Sequence, residues 1–422
     1  MTKKLLILGA TYTEVEIINA AKHMNLYVIV TDNHTDWSLA PAKYCADEAW
    51  DISWSDIDTL KTMCLNHGVN GIMAGFSEKR VICAQKLCEL LNLPFYAEGS
   101  DLDIITDKIK FKHACIKSGV KIPKEYNMGA NIKFPVIVKP VDNGGGRGIS
   151  VCENTEDLQI AYELAISCSD SKEVVIEDYI VADETMSYFV VSDRQIYLSA
   201  MCDRYMYYFG DGIAQLPIGY MYPSSHLELL LNEENIQPFK KLISNLNIDN
   251  GLIAFQSFVR GGDIIPFDPT YRLDGTMTYH ITNAINNVNV LSMLINYSMT
   301  GSMSCEVLKE NPKFPSNAFQ LPILLTKGRI MTIDGIEEIK SLKNVIYFYV
   351  QKQVNDEMSK VADFSQIFGR VHLVVNSYEE LVKDIEDIYA LIDIRDDENS
   401  DMVIRAVKDE LFRKLKAYFH KD

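Results

Sequence analysis

The chain lacks several features that would place it in a class at once. It has no Cys-x-x-Cys pair and no matching histidine spacing, so a zinc or redox site is excluded as the organising motif. Its nine cysteines form no framework, which suits reduced core thiols in a cytoplasmic protein. No apolar run approaches the roughly 20 residues a membrane span needs, and the opening apolar stretch after Met1-Thr2-Lys3-Lys4 is too short for a signal peptide. Positive charge is scarce: 41 Lys and Arg against 58 Asp and Glu give a net charge of −17. Such a surface disfavours nonspecific nucleic-acid binding and an anionic membrane. Any phosphate site must therefore be a local concentration of cations. No internal repeat and no low-complexity segment is evident. The 422 residues, 47% hydrophobic and 23% charged, suffice for two or three ordinary globular domains.

The most informative stretch is Lys139-Pro140-Val141-Asp142-Asn143-Gly144-Gly145-Gly146-Arg147-Gly148-Ile149. An apolar run, Phe134 to Val138, reads as a buried strand closed by the lysine. Glycines let the backbone turn tightly and bring N–H groups close to an anion. The loop is not a Walker A sequence, because no Gly-Lys-Ser/Thr follows. Alone, it suits a polyphosphate cradle and an ordinary surface loop equally.

The elements around it alternate. Leu5–Leu8, a helix over 13–24 and Tyr27–Val30 make a βαβ opening. The turn after Gly9 lacks the second and third glycines of a dinucleotide fingerprint, so Asp32 reads as a strand end and not a ribose ligand. A strand at 69–74 and a helix at 77–91 follow, and this unit closes near residue 100. One helix is expected over 106–118, stopped by Gly119. Strands at 134–138 and 149–152 flank the glycine run. Further strands are expected at 173–176, 188–191, 196–202, 253–259 and 264–268, with helices at 157–168 and 233–246. The Tyr- and Gly-rich segment 203–225 reads as a long mobile loop. Beyond 310, paired strands are expected at 320–325 and 328–333, two more at 345–350 and 371–375, and a helix capped by Ser377 with Glu380. Asp396-Asp397-Glu398 reads as a solvated loop.

Read in order, the middle third resembles the ATP-grasp superfamily, over about residues 1 to 310 and more loosely beyond. The carriers are Asp107–Lys112, Gly119–Pro123, Lys139 with Gly144–Gly148, Val174–Ile180, Glu184, and Gln256 with Asp268–Gly275. The resemblance implies mixed α/β and α+β architecture. It divides the chain into a Rossmann-like pre-ATP-grasp domain at 1–100, an ATP-grasp domain at 101–310 with a mobile lid at about 123–185, and a small C-terminal α+β module at 311–422. It implies that Lys108 and Lys139 contact ATP, while Lys112 and Lys117 on the same helix are read as solvated. Gly144, Gly145, Gly146 and Gly148 would close over the phosphates, with Arg147 assisting or merely facing solvent. Glu177, Asp178, Tyr179 and Ile180 would read adenine along a strand edge, and Glu184 would accept from ribose hydroxyls. Gln256 and Asp268 would hold Mg2+, with Mn2+ as an alternative ion. The family more often has two glutamates at these positions, and Thr270 stands where an asparagine is usual, so a full two-metal site is in doubt. Arg272 would stabilise phosphate or an acyl-phosphate oxyanion, unless it is a structural salt bridge. His280 is a lone histidine that could face substrate.

The implied activity joins a small carboxylate to an amine through an acylphosphate, releasing ADP and phosphate. This is the chemistry of relatives such as amino-acid ligases, biotin carboxylase and carbamoyl-phosphate synthase. No glutaminase segment and no duplicated halves are present. Arg204, Tyr205, Tyr207, Tyr208 and His226 are candidates for the substrate pocket. Two alternatives stay open: a nucleotide-binding regulator with a weakened metal site, and an enzyme that only phosphorylates its substrate. The expected partners are small molecules, not nucleic acid or membrane, and homodimers are common among similar proteins.

Overall fold

The computed structural model describes residues 2–129, 131–142, 147–209, 215–304, 309–359 and 364–420. Four parallel strands open it. β1 (Lys4–Leu8), β2 (Tyr27–Thr31), β3 (Glu48–Trp50) and β4 (Gly71–Met73) lie in the order β3-β2-β1-β4. Leu5 to Leu8 are wholly buried, as a parallel strand covered on both faces requires. Crossovers run through α1 (Tyr12–His23) and α2 (Ile57–His67), and α3 (Glu78–Leu91) follows the last strand. At the start of α1 the Thr11 N–H donates to Glu14 Oε2 at 2.8 Å.

The helix expected over 106–118 is present from residue 108, and a further helix precedes it. α4 (Gly99–Thr106) ends, Asp107 turns extended, and α5 (Lys108–Ser118) starts afresh. The cause is the side chain of Asp107, whose Oδ1 accepts from Ile109 and Lys110 N–H at 2.9 and 3.0 Å. An N-cap residue cannot also be helical.

A small sheet follows, built from β5 (Glu125–Tyr126), β6 (Val136–Pro140), β7 (Ser150–Cys152) and β8 (Val174–Asp178) in the order β5-β8-β6-β7. β6 and β7 form the hairpin expected around the glycine run. α6 (Thr155–Cys168) covers the sheet, and Val136, Val138, Leu158, Ala161, Ala165 and Ile176 make a core of their own.

The large sheet has eight antiparallel strands. They are β9 (Asp183–Ser192), β10 (Gln195–Tyr208), β11 (Gln215–Tyr222), β12 (Gly251–Arg260), β13 (Asp263–Thr270), β14 (Asn317–Leu324), β17 (Val345–Val350) and β19 (Ile367–Val375). Their order is β13-β12-β9-β10-β11-β14-β19-β17. The loop expected at 203–225 is therefore mostly strand: β10 runs to Tyr208 and β11 begins at Gln215. Tyrosines suit a pleated, half-buried surface, and residues 210–214 lie outside the described segments. The hairpin expected from 320–325 with 328–333 is absent among the described residues. β14 pairs with β11 and β19, β15 (Gly328–Arg329) with β18 (Glu357–Met358), and β16 (Thr332–Asp334) with β20 (Asp393–Arg395). The reason lies just after β14, where the N–H groups of Leu325 and Thr326 donate to the Gln366 and Met402 carbonyls instead of folding back.

Helices cover both faces. On one, α7 (Leu227–Leu231) and α8 (Glu233–Asn245) flank β9 and β12, where Phe189, Phe239 and Phe255 meet ring to ring. Beyond β11, Phe319, Leu321, Val371 and Leu373 share a core with α12 (Tyr378–Leu391) and α13 (Lys408–Phe419), next to the short α11 (Ile336–Lys340). The opposite face turns toward the first sheet, past α9 (Tyr279–Asn286) and α10 (Val290–Thr300). That face is polar along one register row. Phe258, Glu184, Arg204, Tyr220, Gln320, His372 and Tyr347 are successive cross-strand partners.

Candidate functional site

The site is assembled between the small sheet, the large sheet and the start of α5. Capping by Asp107 fixes Lys108 in the first turn, and its Nζ reaches Val141 O at 3.3 Å. Burial lowers the Lys108 pKa, with Lys139 adding to the fall and Asp268 opposing it most. Lys139 on β6 lies 2.9 Å from Glu177 Oε2 on β8. Lys112, one turn beyond Lys108, is not the solvated lysine expected. It is buried and ion-pairs with Glu177 Oε1 and, at 3.0 Å, with Glu125. The i, i+4 spacing stacks it above Lys108 on one helical face, which brings it over the small sheet. Burial alone would raise the Glu177 pKa. Lys139 and Lys112 outweigh it and hold the carboxyl below its ordinary value.

Glu177 thus anchors the end of β8 by its side chain. Asp178 accepts from Tyr126 Oη at 2.7 Å, and its N–H donates to Lys124 O. Tyr179 N–H reaches Pro135 O at 3.2 Å, and Ile180 is buried just beyond. Glu184, at the start of β9, accepts from Arg204 Nη1 at 2.5 Å, and both residues are buried. Arg204, Tyr205, Tyr208 and His226, with Glu184 and Tyr418, line one cavity of about 470 Å³. Tyr207 is not part of that lining and packs edge-on against Phe209.

Gln256 and Asp268 are direct cross-strand partners on β12 and β13, and Gln256 Nε2 lies 3.1 Å from Asp268 Oδ2. Asp268 is solvent-accessible, yet the protein mass around its crevice raises its pKa, opposed chiefly by Lys108. One carboxylate and one amide do not make a resident metal centre. Among the described residues no three His, Cys, Asp or Glu side chains converge on one. The pair does fit a magnesium that arrives on a polyphosphate whose oxygens complete the shell.

Arg272 is engaged elsewhere in the crevice. Its Nε and Nη2 donate to Glu78 Oε1 at 2.8 and 2.5 Å, and Nη1 to Leu273 O. Glu78 was not singled out in the sequence. Its only local signal is its place at the start of α3, behind the turn Gly75-Phe76-Ser77, where Phe76 adopts φ 59° and its N–H reaches Leu273 O. Gly144, Gly145 and Gly146 lie outside the described residues. Gly148 has φ 77°, and a Cβ there would come within 2.7 Å of Cys168 Cβ and 2.9 Å of Pro140 Cγ, so glycine is required. Arg147 is exposed. His280 is bound to Glu16 at 2.9 Å and stacked on Tyr347.

Two sheets closing on a crevice, with lysines from one side and an acid–amide pair from the other, are the arrangement of the ATP-grasp fold. Residues 106–207 match the family described as carbamoyl-phosphate synthase L chain, ATP binding domain. Among curated proteins, the formate-dependent phosphoribosylglycinamide formyltransferase of Prochlorococcus marinus is 25% identical over 284 residues, 62% of this chain and 68% of that one. The fold is that of the L-amino acid ligase from Bacillus licheniformis (TM-score 0.76, 16% identity, 94% and 99% of the two chains). It is equally that of the biotin carboxylase domain of Hydrogenobacter thermophilus 2-oxoglutarate carboxylase, solved with MgADP and bicarbonate (TM-score 0.77, 15% identity, 100% and 99%). No helix among the described residues is long and apolar enough to cross a membrane.

Proposed function

We propose that this chain is an ATP-dependent ligase joining a small carboxylate to an amine. The arrangement that carries the reading is Lys108 at the start of α5, placed within electrostatic reach of Lys139 on the small sheet and of Asp268 on the large one. In this reading a carboxylate oxygen attacks the γ-phosphorus, ADP leaves, and the amine then displaces phosphate from the acylphosphate. Lys108 and Lys139 neutralise the polyphosphate, and the Glu177–Ile180 edge takes adenine. Glu184 takes the ribose. Asp268 and Gln256 hold the Mg2+, or Mn2+, that enters on the nucleotide and polarises its phosphates. Arg272 steadies the developing oxyanion once Glu78 yields part of its fork, and Arg147 closes over the phosphates with the glycine loop. Catalysis is then positioning and charge neutralisation. The described cysteines are all free, which supports a cytoplasmic setting. Assembly as a homodimer follows only by likeness to the carboxylase domain dimer.

The test is a screen for ADP release with pooled acids and amines, read with mass detection of the product. Lys139→Ala is expected to weaken ATP binding strongly, and an unchanged titration removes that lysine from the site. Asp268→Asn is expected to abolish magnesium-dependent turnover, and full activity means the ion is held elsewhere. Gln256, a neutral ligand where the family more often has an acid, favours one second reading, a nucleotide-binding regulator. Tight ATP binding with no turnover across the panel selects it. A third outcome, phosphorylated acid without coupling, marks an enzyme that stops at the first step.

A further inference from the structure

The polar row on the large sheet does not end at the nucleotide crevice. It continues across β11, β14, β19 and β17 to a group of buried polar side chains. There Arg370, on β19, is only 7% exposed. Its cross-strand neighbours are Pro322 and Tyr349, neither of them an acid. Among the described residues no carboxylate lies within ion-pairing distance of it, and its Nε is buried without a hydrogen-bond acceptor. The two nearest acids on α1 are already engaged. Glu14 pairs with Arg80 at 2.8 Å and accepts from Thr11, and Glu16 accepts from Tyr347 and faces His280.

A buried, uncompensated guanidinium is costly. Buried polar groups are nearly always satisfied, so each exception requires an explanation. Here the exceptions share neighbouring strands. Tyr349 Oη and Gln351 Nε2 are also buried without partners, and they add donors beside Arg370. His372 Nδ1 and Gln320 Oε1 are unpartnered on the next positions of the same face. Burial, with His280 beside it, pushes the His372 pKa down to about 3, so the ring is neutral. Its Nε2 faces both Thr276 O, at 3.0 Å, and the Gln320 amide nitrogen.

We propose that Arg370, with Tyr349 beside it, is the anchoring site for the carboxylate of a small-molecule ligand. Its planar fork matches a carboxylate better than a spherical anion. Oε1 of Gln320 accepts an N–H group carried by the same ligand, beside the unpartnered Nδ1 of His372. Arg370 stands three strands from Arg204 in the sheet order, about 15 Å at ordinary strand spacing. The anchored carboxylate is therefore a holding group, distinct from the group that reacts at the crevice. The site is a binding proposal and does not require turnover.

The test is thermal unfolding of the full chain, without nucleotide, in sodium acetate, succinate, L-alanine and phosphate, each against sodium chloride at matched ionic strength. At least one carboxylate is expected to raise the wild-type Tm. Arg370→Met is expected to weaken that ligand by roughly tenfold or more, and Tyr349→Phe by less. Arg370→Met should fold with an unligated Tm no lower than wild type, because it removes an unpaired buried charge. ADP titration should be unchanged in both variants. Equal carboxylate binding by Arg370→Met overturns the proposal, as does a response to phosphate alone or to nothing in the panel. Carboxylate binding without any ADP release would instead sink the ligase reading and leave this site standing.

Discussion

Glu177 is held by two cations that come from different elements, and this makes its protonation a stability variable. Its folded pKa is depressed, so its contribution is present above the ordinary carboxylate value and lost as pH falls through the lower, folded one. Glu177→Gln strips Lys139 of its carboxylate partner and leaves Lys112 with Glu125 alone, and is expected to cost about 3 kcal/mol at neutral pH. Thermal melts of the two proteins should converge in acid. A gap that persists below pH 3 would show that geometry, not charge, is at stake. Asp268 behaves oppositely. Its raised pKa means that activity dependent on its charge falls away on the acid side sooner than an ordinary aspartate would allow. Because Lys108 is the chief opposing influence, Lys108→Ala should move the acid limb of the ADP-release profile to higher pH. An unmoved limb would separate the two groups. At this scale the sequence was informative where chemistry is local. Gln256 and Asp268 flank a turn, Arg260–Asp263, that sets their strands side by side. Glu78 and Lys112 were not legible, since their roles depend on partners brought in from distant elements.

Among the elements, the break at Asp107 matters most. The helix over 108–118 was legible from its Gly119 stop, whereas α4 just before it was not, and the Asp107 cap is what separates the two. Asp107→Ala is expected to cost about 1 kcal/mol. It should also weaken ADP binding several-fold, because Lys108 loses its fixed first turn. A drop in Tm with unchanged ADP affinity would mean that Val141 alone orients the lysine. The far half of β10, beyond Cys202, and all of β11 were hidden for a different reason. Tyrosine and glycine are common in loops, and only the partner strands make Tyr205, Tyr207 and Tyr220 parts of a ladder. The cap of α12 was visible because it is wholly local: Ser377 Oγ accepts from Glu380 N–H at 3.2 Å.

For the whole molecule, the decisive fact is that the large sheet runs without interruption from β13 to β17. β14, β19 and β17 come from the last quarter of the sequence, yet they complete the sheet that carries Glu184 and Arg204. A chain ending after residue 315 would leave β11 an edge strand, paired with β10 alone, and uncover Leu216, Ile218 and Met221. It is expected to be insoluble or to melt without cooperativity, whereas a soluble, ADP-binding fragment would show that the remainder is dispensable. Strand order of this kind is a long-range property. The local patterns announce most strands but not that β14 lies next to β11. The small sheet differs, with a core of its own and few ties to the rest.

One of those ties is the trio of Lys112, Glu177 and Lys139, and it has a consequence for how a nucleotide enters. Lys139 can serve Glu177 or an arriving polyphosphate, and the two are rivals for the same ammonium. On the proposed reading of the site, docking would act as a partner exchange. The helix keeps its grip on Glu177 through Lys112 while the strand lysine is handed to the guest, so the small sheet stays moored as its charge changes allegiance.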